Sequence, residues 1–264
     1  MNILKRKLAP IADEVWKELD ERAVEVFKSY LSARKVVNVE GPKGLNYTVL
    51  PEGRLTNISK EKNGVNYGIY KVKPLIEARV EFEINRWELD NISRGAEDAD
   101  LEPLENAVKE IALFEENAVY NGNENAQIKG IIESSSHDTI NLGNSNSEIM
   151  EAISQGILKL KESYVETPYT LVVGPDVWTK FNKLSEEYPL TKKIEKLVGK
   201  EIVFSHAIKG AVLIPYNHSD LELVVGQDFA LGYHSNDSEK IKFFIIESFT
   251  FRVLDPDIII KFSL

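Results

Sequence analysis

The chain has 264 residues, with 42 acids against 32 bases, a formal charge of −10 and no cysteine. This excludes disulfides and thiolate metal sites and argues against general affinity for nucleic acid, whose phosphates are met mainly by Lys and Arg. A hydrophobic fraction of 43% with 28% charged residues fits a soluble globular protein large enough for two lobes. The basic start Lys5-Arg6-Lys7 is followed by no signal-length or membrane-length apolar run, so a cytoplasmic location and no membrane partner are expected.

Asp13 is placed to cap a helix running to about Arg34. Its apolar residues Val15, Trp16, Leu19, Ala23, Val26, Phe27, Tyr30 and Leu31 recur at three- and four-residue spacing and form one wide stripe. Residues 41–73 change character, with glycine at 41, 44, 53, 64 and 68 and no sustained apolar face. Asn63-Gly64, between Arg54–Ser59 and Val65–Tyr70, predicts a hairpin with a type I′ turn. A lone two-stranded ribbon is marginal in water, so this one is expected to lie against something else.

Ile76, Ala78, Val80, Phe82 and Ile84 alternate with Glu77, Arg79, Glu81 and Glu83, the pattern of a half-buried strand. It runs into the junction Arg86-Trp87-Glu88-Leu89-Asp90-Asn91. Asp100 is then expected to cap a helix to about Tyr120, with Leu104, Ala107, Val108, Ile111, Ala112, Phe114 and Ala118 on its buried side. Over residues 95–120, Glu97, Asp98, Asp100, Glu102, Glu105, Glu110, Glu115 and Glu116 face a single base, Lys109. This block, like Lys192, Lys193, Lys196 and Lys200, reads as a solvated face.

Ser147 is expected to cap a helix with Ile149, Met150, Ile153, Ile157 and Leu158 on one side. Strand Tyr169–Val173, a short helix from Asp176 with Trp178 and Phe181, and a helix over 191–198 follow. With strands at 201–204, 211–215 and 221–225 they make an α/β lobe of residues 135–225. Strands at 241–246, 249–254 and 258–262 are expected to rejoin the lobe containing residues 75–130.

No catalytic constellation accompanies these elements. His137, His206, His218 and His234 lack zinc-type spacing partners. Ser136-His137-Asp138 has the letters of a triad, but adjacent residues cannot adopt its geometry. Neither a phosphate-binding loop nor a dinucleotide fingerprint is present. An enzyme is not expected.

Pro74-Leu75-Ile76-Glu77 and Trp87-Glu88-Leu89-Asp90-Asn91 flank the alternating strand in a way that resembles the encapsulins, or linocin-like shell proteins. Four further stretches share that resemblance: Leu4-Lys5-Arg6 with Leu8-Ala9-Pro10-Ile11, the run Ala33 to Pro42, Pro168 to Val173, and Gly226-Gln227-Asp228 with Glu247 to Phe251. The resemblance implies an α+β fold like that of tailed-phage capsids. Its parts would be an N-terminal helix (1–40), an extended hairpin loop (41–74), a peripheral lobe with a long spine helix (75–134 and 226–264) and an α/β axial lobe (135–225). It implies self-assembly into a closed icosahedral nanocompartment of about sixty subunits or a multiple.

The cargo it implies is an enzyme such as a ferritin-like protein or dye-decolorising peroxidase. A terminal peptide of that cargo would be held at Phe27, Tyr30, Leu31, Arg34, Asn38, Ala230 and Tyr233. No cofactor is required, but some encapsulins carry a flavin on the matching tryptophan. FMN or a related flavin would then stack on Trp87, with Arg79 or Arg86 at its phosphate. The pore stretch would be Ser185, Glu186, Glu187, Tyr188 and Pro189. The rival readings are a free-standing flavin-binding protein or hydrolase, which has no use for an extended arm, and a phage major capsid protein. The lack of an evident scaffolding segment ahead of the first helix favours encapsulin.

Overall fold

A computed structural model describes residues 3–61, 63–183 and 189–264. Helix α1 spans Asp13–Tyr30 and stops four residues short of Arg34, where a 3-10 turn, Ala33–Lys35, takes over. Ala12 is its cap residue, so Asp13 and Glu14 sit in the first turn and complement the positive end of the helix. The face Val15, Trp16, Leu19 and Ala23 is buried, with Trp16 edge-on to Phe243 at 5.5 Å between ring centres.

Strand β1 is Asn38–Glu40. Strands β2 (Val49–Lys60) and β3 (Asn66–Pro74) form the hairpin as a separate two-stranded sheet, longer than its sequence pattern indicates. The turn closes between Glu61 and Val65 (N to O 2.9 Å), with Gly64 at φ +88° donating to the Glu61 carbonyl. It is one residue longer than the predicted two-residue type I′ turn.

Strand β4 (Ile76–Asn85) buries Ala78, Phe82 and Ile84 and exposes the charged positions between them. The predicted junction is helix α2 (Arg86–Ser93), started by the Asn85 side chain, which accepts the Trp87 amide at 2.9 Å. Helix α3 (Glu102–Tyr120) begins two residues after Asp100, whose Oδ1 accepts the Glu102 amide at 3.1 Å.

Helix α4 (Ile131–Ser134) and strand β5 (Ile140–Asn141) lead to α5 (Asn146–Glu162). Ser145, not Ser147, caps α5, in a reciprocal box with Glu148. Gly156 and Leu160 are on the buried side, and Leu158, expected there, is 57% exposed. There follow β6 (Tyr169–Val173), α6 (Pro175–Lys183), α7 (Leu190–Val198), β7 (Val203–Phe204), β8 (Ala211–Pro215), β9 (Leu221–Val225), β10 (Ala230–Asn236), β11 (Lys240–Val253) and β12 (Ile260–Ser263).

Two five-stranded sheets organise the body. The first runs β1-β9-β11-β10, with β4 also paired to β11, and the second runs β5-β12-β8-β6-β7. Strand β9 therefore belongs with β11 rather than with the α/β lobe, and β12 crosses into the second sheet against β8. The boundary at 225 is crossed in both directions. The predicted break between Ile246 and Phe249 is absent, because Glu247 and Ser248 continue the ladder to β4 opposite Ala78 and Glu77. One core lies between α1, α3 and the first sheet, and the other fills the second sheet and the helices on it.

Candidate docking groove and buried carboxylate cluster

Residues four apart stack on one face of a helix, so Ala23, Phe27 and Leu31 make a continuous apolar edge along α1. Opposite lie Phe229, Ala230, Leu231 and Ile245, and the two walls enclose a groove of about 480 Å³. Phe27 and Phe229 stack at 4.1 Å between ring centres. Four of the predicted docking residues, Phe27, Leu31, Arg34 and Ala230, meet here. The other three lie outside the lining. Tyr30 turns its ring to His206 at 4.9 Å, Asn38 pairs with Glu222 in the sheet, and Tyr233 donates its amide to the Leu4 carbonyl. Phe229 is the groove residue that sequence reasoning missed. It precedes a strand, and only the tertiary stacking reveals it.

Arg34 is not a free charge at the groove edge. It grips Glu115 with two nitrogens (2.8 and 2.6 Å) and reaches Glu247 and Asp228 at 2.7 Å each. Its guanidinium also lies 4.6 Å from the Phe229 ring centre. Glu115 and Glu247 are fully buried. Burial, followed by repulsion from Glu115, holds the Glu247 carboxyl well above the ordinary range despite Arg34. Glu247 Oε2 has no hydrogen-bond partner among the described residues.

Next to this cluster, Glu116 is also buried, and one of its oxygens accepts the amides of Ser32 (2.9 Å) and Ala33 (2.7 Å). The other meets the Ser32 hydroxyl and the Ser205 hydroxyl, and Ser32 Oγ is 3.0 Å from Tyr120 Oη. Burial pushes the Glu116 carboxyl up to about 7, with the hydrogen bonds opposing. The expectation that Glu115 and Glu116 belong to a solvated face is therefore overturned. Their signal was present in the helix period, because both continue the buried stripe of Val108, Ile111 and Ala112.

The family model described as an encapsulating protein for peroxidase matches residues 1–250. A type 1 encapsulin shell protein of Rhodococcus erythropolis is 34% identical, with both chains covered completely. The chain belongs to the encapsulin family. The Mycobacterium tuberculosis type 1 encapsulin shell protein is likewise 34% identical, with 95% of each chain covered. Among solved structures, the virus-like particle of Pyrococcus furiosus aligns with a TM-score of 0.66 at 17% identity, over 92% of this chain and 97% of the other. That likeness identifies the phage-capsid-like α+β fold. These relatives are named as shell proteins rather than enzymes, in keeping with the lack of a catalytic constellation in the sequence.

On the encapsulin body, Trp87 stands in the first turn of α2 and is 68% exposed. Its cationic neighbour is Arg94, 5.5 Å from the ring centre. Arg79 is instead engaged by Glu77 at 3.3 Å and by the Phe244 ring at 4.6 Å. The Arg86 amide donates to the Glu239 carbonyl. Arg94 is thus a cation beside Trp87 that the sequence reading did not name. Of the pore stretch, Pro189 is the exposed residue that starts α7, and Ser185, Glu186, Glu187 and Tyr188 lie outside the described residues. Ser136 and His137 both bond to Asp257, Ser136 through the carboxylate and His137 through the backbone carbonyl. That arrangement is a loop anchor rather than a nucleophile–base pair. Among the described residues no His, Asp and Glu cluster is arranged to hold a metal, and no helix is long and apolar enough to cross a membrane.

Proposed function

We propose that this encapsulin assembles through its hairpin arm into a closed icosahedral shell and encloses an enzyme whose terminal peptide lies in the groove beside α1. The observation that carries the assembly reading is the arm itself. Its ribbon exposes Leu55, Ile58, Tyr67, Ile69, Tyr70 and Val72, with Tyr70 at 75% and Ile58 at 71%, a surface that a solitary subunit leaves in water. About sixty copies of a 29.9 kDa chain give a particle of about 1.8 MDa, which light scattering reads directly. Removal of residues 54–70 is expected to abolish the particle and leave a folded subunit. A wild-type monomer at physiological salt, or unaltered particles after the deletion, would overturn this reading.

Cargo retention is supported by the apolar walls at Phe27, Leu31 and Phe229. Two or three buried side chains supply roughly 1.5–3 kcal/mol each before ordering costs, so one peptide binds weakly and many sites in one interior retain an oligomer by avidity. A peroxidase as cargo is supported by the description of the matching family, and a ferritin-like protein is the alternative. Phe27→Asp, co-expressed with the cargo, should give intact shells with at least about tenfold less enzyme inside, since avidity multiplies each weakened contact. Full loading would place the peptide elsewhere.

The exposed indole of Trp87 supports a second, optional role as a platform for FMN or a related flavin, with Arg94 beside it. Shells reconstituted with FMN should retain its visible absorbance after desalting, and Trp87→Ala should lose it. Equal retention by both proteins would assign Trp87 no part in flavin binding.

A further inference from the structure

Each copy carries a charge of −10, so identical subunits repel unless oppositely charged patches meet where they touch. At the root of the arm, between β2–β3 and the end of β11, lies a cavity of about 620 Å³ whose walls carry the cations Arg54, Lys71, Lys73, Lys129 and Arg252 against the carboxylates Glu52 and Glu133. Two of these cations are already matched, Lys71 to Glu52 at 2.6 Å and Arg252 to Glu222 at 2.5 Å. Arg54, Lys73 and Lys129 form no ion pair among the described residues. Lys73 is half-buried, with Nζ 2.6 Å from the Gln127 carbonyl. Burial holds its ammonium below the usual lysine range, and Lys71, Arg252 and Lys129 push the same way against Glu52. A carboxylate arriving here would offset the repulsion among these cations and give the half-buried Lys73 ammonium a counter-charge.

The complementary patch is on the same chain. Glu97, Asp98, Asp100 and Glu102 are exposed and form no ion pair among the described residues. The four lie within the six-residue stretch 97–102, which leads from α2 into the first residue of α3. A shell contact of the heterologous kind joins two different patches of identical subunits. We infer that the arm-root cavity of one subunit receives the acidic segment Glu97–Glu102 of a second copy. The cavity's size favours a length of chain over a single oxyanion, because one water claims only about 30 Å³ of liquid volume. The contact would fasten the arm at its base by charge. This inference rests on the assembly reading above.

Charge exchange tests it in the full chain. Arg54→Glu with Lys73→Glu, and separately Glu97→Lys with Asp98→Lys, should each leave at least about tenfold more unassembled subunit than wild type, as like charges then face each other. All four changes in one chain should bring the unassembled fraction back to within about twofold of wild type, since the pairing is restored with reversed sign. Circular dichroism of each unassembled variant guards against a folding defect, and the neutral pair Lys73→Gln and Asp98→Asn provides a milder version of the same comparison. The inference is overturned if the fourfold variant assembles no better than either double variant. It is also overturned if Glu97→Lys with Asp98→Lys assembles as wild type does, and inorganic phosphate binding lost in Arg54→Glu with Lys73→Glu would then mark the cavity as a small-anion site. A wild-type chain that stays monomeric removes the assembly reading and this one together. An assembled wild type without rescue removes this one alone.

Discussion

Arg34→Leu is expected to lower the unfolding free energy by about 3–5 kcal/mol, the range for removing one partner of a buried ion pair. The cost arises on the side that remains. Glu115 is fully buried and takes two nitrogens of Arg34, and Glu247, also fully buried, takes one at 2.7 Å. Without the guanidinium, the buried Glu115 carboxyl loses its cationic partner, and that destabilises the folded state. The contact between Arg34 and the Phe229 ring is lost as well, which contributes about 0.5–2 kcal/mol. Arg34→Lys keeps the charge but not the planar fork that meets three carboxyl groups at once, so an intermediate loss is expected. Replacing Arg34, Glu115 and Glu247 together by apolar residues of similar volume should recover much of the stability, because the destabilising element is the unpaired charge rather than the absence of an ion pair. Urea denaturation followed by tryptophan fluorescence measures all four proteins. A loss below about 1 kcal/mol for Arg34→Leu would mean that the carboxyl groups are neutral without it and that the cation is dispensable.

Elements set by local pattern were legible in the sequence. Strands 169–173, 211–215 and 221–225 lie where their apolar runs place them, and the alternation from Ile76 to Ile84 names the buried face of β4 residue by residue. Sheet membership was not legible. Leu221–Val225 and Ala211–Pro215 are both short, nearly fully buried runs, and burial from both faces erases the alternation that would tell one sheet from another. The chain crossing at β9 and β12 is a tertiary fact with no local signal. The missed helix α2 is different, because its start is written in the sequence. Asn85 caps it, but a strand running straight into a helix masked that signal.

The candidate site was legible by half. The α1 wall follows from helical period alone, since Phe27 and Leu31 are spaced to share a face. The facing wall depends on residues some two hundred positions away, and of these Ala230 was found through family resemblance whereas Phe229 was not. Charge misled the reading more than hydrophobicity did. Glu115, Glu116 and Glu247 were read by residue type as solvent-facing or as a strand break, although the period of α3 and the continuity of β11 place all three inside. A buried carboxylate needs partners to be tolerated. Those partners, Arg34, Ser32 and Ser205, come from segments that composition cannot bring together.

Stability of the subunit is expected to fall as pH rises from about 4.5 to about 7, and Glu116→Gln should remove the largest identifiable part of that slope. In the unfolded chain Glu116 ionises near its ordinary value of 4.5, whereas burial keeps the folded carboxyl protonated up to about 7. Between those values the folded state binds the extra proton, so the stabilisation is complete below the lower value and is lost through the upper one. At 1.36 kcal/mol per pH unit this amounts to about 3 kcal/mol. The protonated acid has a place for its hydrogen. One oxygen keeps the Ser32 and Ala33 amides, while the other can donate to the Ser32 hydroxyl, which turns toward Tyr120 Oη at 3.0 Å. Glutamine preserves the same pattern with a permanent donor, so it should cost little at pH 5 and become the more stable form above pH 7. Glu247 adds a slope of the same sign, because burial raises its carboxyl well above the ordinary range. Glu148 and Asp237 act in the opposite sense and in a lower window, since backbone hydrogen bonds from Asn144 and Lys240 hold their carboxyls down. Urea denaturation of wild type and Glu116→Gln at pH 5 and pH 7 isolates the contribution. Equal losses in the two proteins across that interval would show that Glu116 is already ionised in the folded subunit. A smaller loss in the variant would establish that the turn joining α1 to the body is held by a protonated acid.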